Sequence, residues 1–200
     1  MSGPVQKLDI LLAGVGGQGT LVAGRVLGEV ALALGMDVKV SEVHGMSQRG
    51  GSVVTYVRMG KCVHSPLIEP GEADFLLAFE QLEALRWAPY LAMHGTLVVN
   101  RLSIQPLTVS IGAATYPQGI SETLSRVAGE SARILSMDAS GMAKTAGSVK
   151  SLNVAMLGAM AACSGIERKV FEDALDRVFA EKFRATNRLA FTAGFEAACT

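Results

Sequence analysis

Two glycine-dense segments hold most of the chemistry this chain can offer. The first, Gly14-Val15-Gly16-Gly17-Gln18-Gly19, carries GxGxxG spacing at Gly14, Gly16 and Gly19. Missing Cβ atoms permit a tight turn and let an anion such as a diphosphate approach the backbone. The helix that follows, opened by Thr20, would add free N–H groups and a positive dipole end. A dinucleotide site also wants an acidic residue about twenty positions further on, and Glu42 stands near that place. The competing reading is structural: the glycines form a strand-to-helix joint and Glu42 is a solvated strand end.

The second segment is Glu42-Val43-His44-Gly45-Met46-Ser47-Gln48-Arg49-Gly50-Gly51-Ser52. A nucleotide-binding unit would enter its next helix here, yet this run has the composition of a loop at the carboxyl end of a strand, where open α/β sheets place their sites. Arg49 offers a bidentate contact to a carboxylate or phosphate, and His44 offers an imidazole for acid–base work or a hydrogen bond. These two are the catalytic candidates. Taken singly, each also has a structural reading: His44 as a satisfied strand-end residue, Arg49 as the ion-pair partner of Glu42. As a unit, a loop so dense in glycine and hydrogen-bonding groups favours an interface or ligand role over plain connection.

The surrounding pattern supplies the elements that must hold these loops. Leu8–Ala13 reads as a buried strand, Thr20–Leu34 as a helix closed by Gly35, and Asp37–Val43 as a second, alternating strand, together a parallel strand–helix–strand unit. Val53–Met59 is β-branched and, with Cys62–Ser65, suggests a hairpin at the sheet edge. Ala73–Phe79, Thr96–Asn100, Thr108–Ile111 and Ile134–Met137 are further strands, with helices over Gln81–Met93 and Ile120–Gly129. Past Lys150 the pattern turns helical, over Leu152–Ser164, Lys169–Glu181 and Thr186–Ala198. The expected fold class is α/β: a three-layer Rossmann-like domain with a mostly parallel sheet and a helical C-terminal segment, residues 1–200 forming one domain.

Composition narrows the function. Eighteen basic and eighteen acidic residues cancel, which removes the positive surplus a nucleic-acid binder uses. Only 18% of residues are charged, below the roughly 25% of globular chains; a sheet buried on both faces or a surface covered by a partner accounts for that equally well. The longest apolar runs, Ile10–Val15 and Ala155–Cys163, fall short of the ~20 residues of a membrane span. Three scattered cysteines suit reduced thiols in the cytoplasm rather than a disulfide framework. They also lack the number and spacing of an Fe–S ligand set, so no cluster and no metal is expected on this chain.

Read together, GVGGQGTLVAGRVL, SEVHGMSQRGGSVVTYVRMG and SLNVAMLGAMAA resemble the gamma-type subunit or domain of the 2-oxoacid:acceptor oxidoreductases, the indolepyruvate type most of all. The resemblance spans nearly the whole chain. It implies a subunit of an enzyme that decarboxylates a 2-oxoacid on thiamine diphosphate, sends electrons through Fe–S clusters to a ferredoxin-type acceptor, and delivers the acyl group to coenzyme A. Thiamine diphosphate, Mg²⁺ and the clusters would belong to a larger alpha subunit, leaving the isolated chain inactive. Gly14, Gly16, Gly17, Gln18, Gly19 and Thr20 match the first loop, and Gly45, Met46, Ser47, Gln48, Arg49, Gly50 and Gly51 the second. Both would face the active-site junction and help accommodate coenzyme A. Asn153 opens the third segment, whose small residues Ala155, Gly158, Ala159 and Ala162 suit close helix packing. Two alternatives stay open: a stand-alone NAD- or FAD-binding oxidoreductase, and a non-catalytic coenzyme A or nucleotide-binding module.

Overall fold

The apolar run of β1 (Lys7–Val15) is buried from Leu8 onward because both faces of the strand are covered. Ile10 and Leu12 point into one core and Leu11 and Ala13 into the other. Each large side chain sealed from water this way contributes roughly 1.5–3 kcal/mol. In the computed structural model, which describes residues 5–45 and 50–199, β1 lies inside a six-stranded sheet of order β2-β3-β1-β4-β5-β6. The other strands are β2 (Asp37–His44), β3 (Ser52–Gly60), β4 (Ala73–Ala78), β5 (Leu91–Asn100) and β6 (Arg133–Met137). Strands β1, β4, β5 and β6 pair in parallel, whereas β3 is antiparallel to both β1 and β2.

Strands β1 and β2 keep the parallel sense expected of the first strand–helix–strand unit, with β3 inserted between them. That insertion corrects one expectation: Val53–Met59 is not an edge hairpin with Cys62–Ser65, because β3 pairs on both sides and residues 62–65 form no strand. The β-branched Val53, Val54, Thr55 and Val57 suit a central strand buried on both faces.

One face of the sheet carries α1 (Thr20–Ala33), α6 (Leu152–Ser164), α7 (Arg168–Val178) and α8 (Glu181–Cys199); the other carries α2 (Gln81–Trp87) and α4 (Ile120–Ala128). Thus the three layers and the helical C-terminal region stand as expected. The remaining helices are short: α3 (Leu107–Ser110) and α5 (Ala139–Thr145). Helix α3 replaces the expected strand at Thr108–Ile111. Pro106 opens it, with its fixed φ of −60° suiting a helix start. The helix expected over Gln81–Met93 stops at Trp87, and after a 3₁₀ turn containing Pro89 the chain enters β5 at Leu91. Helix α5, capped by the Asp138 carboxylate on the Gly141 N–H at 2.8 Å, had no counterpart in the sequence pattern.

Helices α6 and α8 run side by side in the same direction, Ser151 meeting Asn187 before Gly158 meets Phe191 and Phe195. At their crossing the backbones touch: a Cβ on Gly194 would lie 1.9 Å from the Ala155 carbonyl oxygen, and one on Gly158 2.1 Å from that of Phe191. The small-residue face of α6 therefore packs, as its composition suggests.

Candidate functional site

Strand β1 ends in the first glycine loop, and two features fix that loop's shape. Gly17 and Gly19 have φ of 102° and 81°, a region L side chains rarely adopt. Gly14 leaves room for the Gln18 side chain to fold back, since a Cβ there would stand 2.7 Å from Gln18 Oε1. Gln18 uses that room. Its Oε1 accepts from the Val15 N–H at 2.7 Å and its Nε2 donates to the Phe79 carbonyl at 3.0 Å. Phe79 follows β4, so the carboxamide bridges the carboxyl ends of β1 and β4.

This bridge occupies the crevice where a doubly wound sheet ordinarily admits a ligand, because α1 leaves β1 over one face and α2 leaves β4 over the other. The network continues sideways. Asn100, fully buried at the end of β5, donates to the same Phe79 carbonyl at 3.1 Å and to Ser140 Oγ at 3.0 Å. On the other flank, the buried Asn153 donates to the Gly19 carbonyl at 3.1 Å, tying the start of α6 to the loop. Uncharged amides thus stitch the carboxyl rim from β1 to α5.

The two glycine segments meet. The Gly16 N–H donates to the Gly51 carbonyl at 2.9 Å, so the turn joining β2 to β3 is fastened to the turn leaving β1. Between them lies a cavity of about 380 Å³ lined by Gly17, Gly19, Thr20, Glu42 and His44 among others. The Glu42 carboxylate reaches across β3 to accept from Thr55 Oγ1 at 3.3 Å and Thr20 Oγ1 at 3.5 Å. A carboxylate beside the N-terminus of α1 is favoured by the helix dipole, and it repels a diphosphate seeking the same place. His44 is exposed, its Nδ1 3.2 Å from the Gly45 carbonyl. Met46, Ser47, Gln48 and Arg49 lie outside the described residues, as does any Arg49–Glu42 pair.

Side chains that sequence reasoning passed over hold the neighbouring segments. The Ser52 hydroxyl donates to the buried Glu83 carboxylate at 2.5 Å, which joins the second loop to α2. Glu80, buried at the cap of α2, accepts from the Glu83 N–H, the Ile104 N–H and the Tyr116 hydroxyl. Burial, and then the bond to Glu80, pushes the Tyr116 phenol up to about 12. An acid directly after the apolar strand Ala73–Ala78 was the available signal for Glu80; Asn100 likewise ends the run Leu-Val-Val-Asn. Among the described residues, no three His, Cys, Asp or Glu side chains gather as a metal site requires, and no helix is long and apolar enough to cross a membrane.

Comparison with known proteins places this geometry in context. Residues 9–197 match the family model described as pyruvate ferredoxin/flavodoxin oxidoreductase. The chain is 43% identical over 80% of its length to indolepyruvate oxidoreductase subunit IorB of Pyrococcus horikoshii, covering 80% of that protein. It is 37% identical to the subunit of the same name from Thermococcus kodakarensis, with 97% of each chain covered. Among solved structures, the gamma subunit of a keto/oxoacid ferredoxin oxidoreductase from Geobacter sulfurreducens superposes with a TM-score of 0.71 at 26% identity, covering 96% of this chain and 98% of that one.

Proposed function

Because the chain belongs to the pyruvate ferredoxin/flavodoxin oxidoreductase family, we propose that it serves as the smaller subunit of an indolepyruvate-type 2-oxoacid oxidoreductase. Its partner is a larger alpha subunit carrying thiamine diphosphate, Mg²⁺ and the Fe–S clusters. The complex oxidatively decarboxylates an aryl pyruvate, passes the electrons to a ferredoxin-type acceptor and transfers the acyl group to coenzyme A. The names of the IorB relatives support the substrate class. Residues 1–200 act as one domain, and the free thiols suit a cytoplasmic setting.

The carrying observation is the Gly16–Gly51 hydrogen bond, which joins both glycine segments on one rim of the sheet. In this reading the rim, with Gly14, Gly16, Gly17, Gln18, Gly19 and Thr20 on one loop and His44, Gly45, Arg49, Gly50 and Gly51 on the other, abuts the partner's active site. There it offers backbone N–H groups and the His44 side chain to the co-substrate. The chain's three cysteines are fewer than the four thiolates an Fe–S cluster usually takes, which supports placing the clusters on the partner. The stand-alone dinucleotide reading is weakened by Gln18 filling the crevice and by the Glu42 charge beside α1.

The test is to purify the chain alone and with a thiamine-binding partner, and to assay indolepyruvate oxidation with coenzyme A and ferredoxin. Activity confined to the complex is expected. Turnover by the isolated chain, or tight NAD or FAD binding to it in calorimetry, sinks the proposal.

A further inference from the structure

A second cavity, also of about 380 Å³, opens where α6 and α8 begin, lined by Ser148, Lys150, Ser151, Phe179, Phe183 and Asn187 among others. Asn187 is only 4% exposed. Its Oδ1 accepts from the Ser151 hydroxyl at 2.8 Å, while its Nδ2, shut off from bulk water, has no hydrogen-bond partner. A buried donor left unmatched is costly, and a ligand acceptor beside it would remove that cost. The surroundings say which acceptor. Parallel α6 and α8, 13 and 19 residues long, direct the positive ends of both dipoles toward this end of the pair. The Lys150 side chain is exposed at the cavity's edge, and Lys182 lies 5.0 Å over the Phe183 ring. The exposed Phe183 and half-buried Phe179 give the same cavity an apolar wall.

We propose that this cavity binds an aryl oxyanion, a small carboxylate or phosphate carried on an aromatic body. Rotation of the Asn187 carboxamide toward the cavity lets the anionic head accept from Nδ2 while it pairs with Lys150, and the ring packs between Phe179 and Phe183. Thr186, also on the wall, adds a hydroxyl. The cavity shares Lys150 and Phe179 with the neighbouring cleft over Gly17, Gln18 and Asn153, but anion binding in it does not depend on the proposed reaction.

The test titrates the full-length chain with phenyl phosphate and with benzoate, followed by calorimetry and by backbone amide shifts. A Kd on the order of 1 mM is expected for so few atoms. Benzyl alcohol, of similar shape but uncharged, binds ~10-fold more weakly or not at all, and Lys150→Ala weakens both oxyanions ~5–10-fold, as loss of a charge-assisted contact does. The double variant Ser151→Ala/Asn187→Leu, which removes both polar groups together, abolishes binding while Tm holds or rises. Absence of saturation by either oxyanion at about 10 mM, ten times the expected Kd, overturns the proposal. So does equal binding of benzyl alcohol, or unchanged affinity in Lys150→Ala, a surface variant that reads out even if the double variant does not fold.

Discussion

At the scale of single residues, Gln18 decides what the first glycine loop is for. Its carboxamide satisfies one backbone donor, at Val15, and one backbone acceptor, at Phe79, which lies 61 residues beyond Gln18 itself. Gln18→Ala strands the Val15 N–H and removes one of two bonds to the Phe79 carbonyl; urea denaturation is expected to show a loss of ~1–3 kcal/mol. Gln18→Glu keeps an acceptor for Val15 but sets an oxygen against the Phe79 carbonyl, so it should cost at least as much near neutral pH. If both variants match the parent in stability, the bridge is not holding the rim. The GxGxxG spacing and the strand-to-helix context were legible in the sequence because they depend on neighbours in the chain. The job of Gln18 was not, since its partner Phe79 and the second amide, Asn100, reach the site only once β4 and β5 are laid beside β1. For the same reason Glu42 was readable as an acid at the right distance, but not as one that leans over an intervening strand to Thr20.

Among elements, the contact of α6 with α8 sets the tightest tolerance in the described fold. A methyl on Gly194 would overlap the Ala155 carbonyl, and relief requires the helices to part. Overpacking of this kind costs typically 1–3 kcal/mol, occasionally more, and here the obstacle is backbone, which cannot rotate away. Gly194→Ala and Gly158→Ala should therefore sit at or above the top of that range in thermal melts. Gly28→Ala supplies the contrast: it lies within α1 with nothing within 4 Å of the added atom, and replacing glycine in a helix interior gains roughly 0.5–1 kcal/mol. Equal effects of the three substitutions would refute the packing account. Element type was readable where helix-forming residues ran long without a break, as in α1, α6 and α8. It failed at Thr108–Ile111, where four residues are too few to separate helix from strand, and at β3, whose place in the sheet is decided by its pairing with β1 and β2 rather than by its own residues.

For the whole molecule, the two ends of the sheet are held differently. At the carboxyl rim the amides of Gln18, Asn100 and Asn153 bridge the segments, and the carboxylates of Glu42, Glu80 and Glu83 are met mainly by hydroxyl and N–H groups. The amino end is joined by ions: Arg58 grips the buried Asp9 carboxylate through Nε and Nη2, both at 2.9 Å, and Lys7 adds a third contact at 2.8 Å. Asp74 joins this cluster by accepting from the Asp9 N–H at 2.8 Å. Burial raises the Asp74 carboxyl above the ordinary aspartate value, only partly offset by that N–H. A group whose folded pKa is raised binds its proton more tightly in the folded state, so its contribution is complete below the unfolded pKa of about 3.9 and is lost as pH climbs through the folded value. At neutral pH the charged Asp74 therefore weakens the fold. Asp74→Asn keeps an oxygen for the Asp9 N–H without that charge, and should be modestly more stable than the parent at pH 7 and no more stable at pH 3.5. Chemical denaturation at the two pH values reads this directly. Because the substitution lies at the end of the sheet away from the glycine loops, it should leave the turnover of the assembled oxidoreductase unchanged. A variant less stable at pH 7, or a complex slowed by it, would show that the two rims are not divided between support and function in this way.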